Sequence, residues 1–142
     1  TGAKVVEDPN AIYDVDADIF TPCALGAIIN PNTIDRLKVK VVAGAANNQL
    51  ETREMGAELV KRGILYAPDY VINAGGIINV MGEIDSRFDA KWVEGKLHTL
   101  KATLGEIMDT AARENRPSNL VADEIARQRL ADAAEQKALA AE

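Results

Sequence analysis

The chain has one cysteine and one histidine in 142 residues, too few for an internal disulfide or a tetrahedral zinc site. No apolar run approaches the roughly 20 residues needed to span a membrane, and the first residues show no basic stretch followed by an apolar one. Positive charge is also in short supply. Sixteen Lys and Arg stand against 22 Asp and Glu, a formal net charge of -6. That balance argues against nucleic acid or an anionic membrane as the main partner, because both need clustered cations. The cytoplasm is the expected location. What is present, 47% hydrophobic and 27% charged residues, fits one ordinary soluble domain with a real core. The opening Thr1-Gly2-Ala3-Lys4-Val5-Val6 has no initiator Met and reads as a chain entered midway, so a fragment or a processed product is expected.

Along the chain, strand and helix signals alternate. Asp18-Ile19-Phe20, stopped by Pro22, predicts a brief buried strand. Asn30-Pro31-Asn32 is a turn, with Thr33 placed to cap a short helix through Leu37. Val39–Ala43 is β-branched and ended by Gly44, the strongest strand signal in the chain. Thr52–Arg62 predicts a helix stopped by Gly63, followed by a strand at Ile64-Leu65-Tyr66 and an extended segment at Tyr70-Val71-Ile72. Returns of roughly 15 to 20 residues suit crossovers and are too long for hairpins, so the sheet should be parallel and the class α/β. From about Phe88, Val93, Leu97, Leu100, Leu104, Ile107 and Ala111 form one apolar stripe on a long helix. Pro117 interrupts it, Ser118 is placed to cap, and Leu120–Ala140 predicts a second, Ala-rich helix.

Small and amide residues collect after the strand signals, at Pro22–Ala27, Gly44–Gln49 and Asn73–Gly76. In a parallel sheet the C-terminal strand ends share one edge, and that edge is where such folds bind ligands. Gly and Ala let a flat ligand approach the backbone, and Asn47, Asn48 and Asn73 offer paired donors and acceptors for a carboxamide or carboxylate. Any one of these loops is also what a tight turn onto a helix looks like. Three in register point to a site, lined in a way that suits a nicotinamide ring better than a phosphate.

The segments Asp18–Ala27, Val42–Leu50 and above all Gly63–Val80 resemble the Glu/Leu/Phe/Val dehydrogenase family, closely over roughly Gly2 to Val80 and loosely over the two C-terminal helices. The resemblance implies the second half of a Rossmann-like parallel sheet followed by two C-terminal helices. In domain terms it implies a partial NAD-binding domain over residues 1–86 and a helical segment over 87–142 packing on it. It implies NAD as cofactor and oxidative deamination of an L-amino acid to its 2-oxo acid. On that pattern Cys23 and Ala24 contact the cofactor through their backbone, and Ala45, Ala46 and Asn47 meet its nicotinamide end. Asn73 lies between nicotinamide and substrate, and Ile77 and Val80 line the substrate side-chain pocket. Both pocket residues are aliphatic, which favours a branched-chain substrate over phenylalanine.

The family's G-x-G-x-x-G phosphate turn, and its substrate domain with catalytic lysines and aspartate, have no counterpart in this stretch. Deamination needs a base near neutral pH and a charge to hold the substrate carboxylate. Lys38, Lys40, Lys91, Lys96 and Lys101 all fall outside the motif loops, so no catalytic residue is assigned here. The chain is expected to be inactive alone, to need the N-terminal portion of the same enzyme, and to associate through its open sheet edge or its Ala-rich tail into a homo-oligomer. The competing reading is a non-catalytic binding or assembly module that keeps the fold.

Other chemistry is weaker. Cys23 has no evident His partner, and His98 sits in the long helix as a surface or packing residue. Asp14, Asp16 and Asp18 mimic the start of a calcium loop, but Ile19 and Leu25 hold the positions that need Gly and Glu. Trp92 and Phe88 are expected to anchor the long helix, and the charged runs Glu106–Glu114 and Asp123–Arg129 to be solvated faces.

Overall fold

A computed structural model describes residues 2–84 and 89–140. Three short parallel strands, β1 (Ile19–Phe20), β2 (Val41–Val42) and β3 (Leu65–Tyr66), lie in the order β1-β2-β3. Ile19 pairs with Val41, and Val41 with Leu65. The parallel sheet expected from the long returns is present, although its regular pairing is shorter than the β-branched runs. Helix α1 (Met55–Lys61) carries the chain from β2 to β3 and ends at Arg62, followed by Gly63 at φ +69. A left-handed residue there ends a helix with little steric cost only if it is glycine.

The first core lies around the central strand: Ile29, Ile34, Leu37, Val42, Leu59, Ile64 and Tyr66 are buried, with Val42, Leu59 and Ile29 fully so. Beyond β3 come α2 (Asp69–Ile72), α3 (Gly75–Ile84), α4 (Ala90–Glu114) and α5 (Ser118–Leu139). Asn115, at φ 51, lets the chain turn between the last two, which pack a second core of Val71, Ile107, Ala111, Val121 and Ala122. The start of α5 is latched to β3 and to the segment before α1 by polar contacts. The Ser118 hydroxyl donates to the Tyr66 carbonyl at 2.5 Å, and the Asn119 amide donates to the Arg53 carbonyl at 3.1 Å. Gly56 makes room for this joint, since a Cβ there would sit 2.1 Å from Asn119 Oδ1.

Several local expectations are corrected. Tyr70-Val71-Ile72 is helical, not extended. Pro68, at φ -56, sets the entry and the Asn73 amide closes onto the Asp69 carbonyl at 2.9 Å, a turn that the β-branched composition of so short a run does not reveal. Gly75 and Gly76, read as a loop, open α3, so Ile77 and Val80 stand on a helix. Thr33 occupies the cap position of a 3-10 turn (Ile34–Arg36) without capping it; its hydroxyl donates to the Ile28 carbonyl instead. Ser118 likewise does not cap α5, where Pro117 holds that position. The apolar stripe on α4 is only partly buried: Ile107 is 1% exposed, Leu97 43%. Trp92 is 42% exposed with Lys96 over its ring, so it is not sealed into a core. Phe88, and the division expected at residues 86 and 87, lie outside the described residues.

Candidate active-site rim

The exit of β1 and the exit of β2 touch backbone to backbone. A Cβ on Gly44 would fall 2.1 Å from the Pro22 carbonyl oxygen and 2.5 Å from the Pro22 nitrogen. Glycine is therefore required at 44 by contact rather than by conformation. The Ala46 amide donates to the Pro22 carbonyl at 3.0 Å, and the Ala27 amide to the Asn48 carbonyl at 2.7 Å. Gly26 is less tightly packed but still leaves no room for a side chain, a Cβ there falling 2.8 Å from the Asn47 carbonyl oxygen. Within the second loop, the fully buried Gln49 donates its side-chain amide to the Gly44 carbonyl at 2.6 Å and the Ala46 carbonyl at 3.0 Å. The turn between these contacts leaves Ala45, Asn47 and Asn48 exposed, while Ala46 is buried. Cys23 and Ala24 are exposed on the facing loop.

The third segment arrives from β3 through α2. Asp69, 5% exposed, accepts the Asn48 amide on Oδ2 at 2.8 Å and the Tyr66 hydroxyl on Oδ1. Burial, reinforced by the Asp69 carboxylate, pushes the Tyr66 hydroxyl well above the ordinary tyrosine range. Asn48 sits at φ 54 and Ala27 at φ 54, a backbone region that non-glycine residues keep only when surrounding contacts hold them there. At the end of α2, Asn73 donates its side-chain amide to Asn47 Oδ1 at 2.6 Å. Among the described residues this leaves the Asn47 side-chain nitrogen and the Asn73 side-chain oxygen without a protein partner, one donor and one acceptor. That is the complement of a primary carboxamide.

The structure thus brings together the loop that carries Cys23 and Ala24 and the loop that carries Ala45, Ala46 and Asn47, through the Pro22–Ala46 and Ala27–Asn48 contacts, and sets Asn73 against Asn47. Ile77 and Val80 follow on α3. They share one exposed helical face with Met81 and Ile84, at 60%, 44%, 54% and 73% exposure. The sequence reading missed Gln49 and Asp69 as residues that shape the rim. Their signal was only a polar side chain within an apolar or small-residue motif.

The remaining candidates fall elsewhere. His98 is solvent-facing on α4, 3.9 Å from Glu94 Oε1. Asp14 pairs with Arg36 and Asp18 with Lys40, each at 2.7 Å, and the Arg36 guanidinium holds the Asp14 carboxyl below its ordinary value. The charged runs on α4 and α5 cross-pair on the surface, as between Arg129 and Glu106 at 3.2 Å.

A three-stranded parallel sheet packed with helices defines an α/β protein, and small, amide-bearing loops gather at the C-terminal ends of its strands. Residues 1–138 match the Glutamate/Leucine/Phenylalanine/Valine dehydrogenase family, and the chain belongs to it. It is 50% identical over 129 residues to the leucine dehydrogenase of Thermoactinomyces intermedius, covering 91% of this chain and 35% of the relative. Over 84 residues it is 58% identical to the phenylalanine dehydrogenase of Bacillus thermotolerans, covering 59% of this chain and 22% of the relative. The crystal structure of L-tryptophan dehydrogenase from Nostoc punctiforme superimposes with a TM-score of 0.86 at 44% identity, over 94% of this chain and 40% of that one. The chain therefore spans little more than a third of the length of the leucine and tryptophan relatives.

Proposed function

We propose that the chain supplies the nicotinamide-side and substrate-side rim of an NAD-dependent L-amino-acid dehydrogenase, within a Rossmann-like sheet completed by the rest of the enzyme. The observation that carries this is the Asn47–Asn73 side-chain pair, joined at 2.6 Å with one donor and one acceptor left over. NAD fits this set of groups. Asn47 and Asn73 suit its carboxamide, while Ala45, Ala46, Cys23 and Ala24 provide a flat, small-residue wall where backbone groups stay reachable. When bound, the nicotinamide would supply the hydride acceptor for oxidation of the amine carbon. The chain's own residues bind and orient: the loops set the ring's plane, and Asn73 stands where cofactor and substrate meet. No residue here is assigned to proton transfer, which the reading leaves to lysines and an aspartate elsewhere in the enzyme.

The proposed substrate is a branched-chain L-amino acid of the leucine type. Ile77 and Val80, aliphatic and exposed on α3, support an apolar pocket wall of limited reach. The proposed setting is a cytoplasmic homo-oligomer. The direct test compares this chain alone with the intact enzyme for leucine-dependent reduction of NAD. Turnover by the intact enzyme and none by the chain is the expected result; normal turnover by the isolated chain would overturn the division of labour.

A further inference from the structure

We infer that Asp69 is the positioning residue that brings the two rim amides together. This rests on the reading of Asn47 and Asn73 as the nicotinamide rim, and adds to it the group that fixes their spacing. Asp69 hydrogen-bonds both segments that carry those amides, at Asn48 beside Asn47 and at Asn73 itself. Its side chain holds the second loop, since Oδ2 accepts the Asn48 amide at 2.8 Å, next in sequence to Asn47. Its main chain holds the third segment, since its carbonyl accepts the Asn73 amide at 2.9 Å. The Tyr66 hydroxyl donates to Oδ1 and receives the Asp69 amide at 3.3 Å. The carboxylate is thereby fixed to the end of β3.

Each contact has a directional consequence. A buried carboxylate that accepts two hydrogen bonds has little rotational freedom and is costly to leave unpaired. Asn48 is held at φ 54, and its amide would point elsewhere if the loop relaxed to an ordinary backbone conformation. Helix α2 is a single turn, so a shift of Asp69 is transmitted to Asn73 without an intervening element to absorb it. The Asn47–Asn73 contact is the point where both chains of constraint close. Both carboxylate oxygens of Asp69 are engaged by Tyr66 and Asn48, so its influence on the reaction is taken to pass through the amides.

The experiment uses the intact enzyme and NADH, following the fluorescence of bound nicotinamide together with kcat and thermal unfolding. In Asp69→Ala we expect the dissociation constant for NADH to rise about tenfold, the bound-state emission to shift, and kcat to fall about 100-fold in the folded fraction. Asp69→Asn should recover most of this, because its carbonyl can still accept the Asn48 amide while its nitrogen faces the Tyr66 oxygen. A merely structural role predicts loss of folded protein with normal emission from what remains, and no preferential rescue by Asn. Hydrogen exchange on the wild type provides a second measurement that needs no variant. Segments 44–50 and 69–76 should gain protection together when NADH binds; independent responses overturn the inference. Failure of the wild-type enzyme to bind NADH would instead sink the proposed function.

Discussion

Asn73 and Asn47 lie 26 residues apart in sequence, yet the Asn73 side-chain nitrogen donates to Asn47 Oδ1 at 2.6 Å. The pair is exposed, so its worth lies in geometry more than in stability. If the two amides act as one receptor, their removal should not be additive. In the intact enzyme, Asn47→Ala and Asn73→Ala should each lower kcat/KM for the amino acid, with a coupling of about 1–2 kcal/mol in the double-mutant cycle. Strictly additive losses would show that they act separately.

Gly44 tests the contact between the first two loops. Alanine at this position places a Cβ 2.1 Å from the Pro22 carbonyl oxygen, which is backbone and cannot rotate aside. Gly44→Ala should destabilise the protein by about 3 kcal/mol, in the range of strongly overpacked sites, and weaken NADH binding as the loops separate. Urea unfolding and NADH titration measure the two effects. A variant with wild-type stability would mean that the loops accommodate the methyl group by moving apart.

The proposed function puts substrate preference on α3. Val80 is 44% exposed on the same helical face as Ile77, so truncating it enlarges a wall without leaving a buried cavity. Val80→Ala in the intact enzyme should shift the ratio of kcat/KM for leucine over phenylalanine toward phenylalanine, by about tenfold. An unchanged ratio would remove Val80 from the pocket.

Alkaline pH should destabilise the fold through Tyr66. Its hydroxyl titrates far above the ordinary value of 10.0, first because it is buried and second because it donates to Asp69. A group whose folded pKa is raised stabilises fully below its unfolded value and loses that contribution as pH climbs toward the folded one. Stability should therefore decline above pH 10, as the unfolded chain ionises and the folded chain does not. Tyr66→Phe should be less stable at neutral pH but show a shallower decline in alkali. Parallel declines for the variant and the wild type would place the alkaline sensitivity elsewhere. Tyr70 is raised for the same kind of reason, burial first and then its bond to Asp123, and at 50% exposure it should contribute less.

Much of this was legible in the chain itself. The long returns between Ile19, Val41 and Leu65 imply a parallel sheet, and all three strands are parallel. The small-residue loops expected after the first two strands do meet, through Pro22 and Ala46. The run Gly63–Val80 carried the family, which the match over residues 1–138 bears out. Composition, spacing and motif identity are local quantities, readable without knowing what packs against what.

What the tertiary structure decided is of another kind. Tyr70-Val71-Ile72 has the composition of a strand and the conformation of a helical turn, because Pro68 and the Asp69–Asn73 closure outweigh the preference of so short a run. The apolar stripe of α4 has a single period, yet α5 covers only its later half, burying Ile107 and leaving Leu97 in solvent. Asp69 and Gln49 look like ordinary polar residues until folding removes them from water and turns them onto partners, Asn48 lying 21 residues from Asp69. Sequence by itself determined which residues are small, amide-bearing and strand-forming, and hence where a rim is expected. The closing of that rim depended on contacts between residues distant in the chain, because a buried polar group takes its direction from the partners that folding leaves within reach.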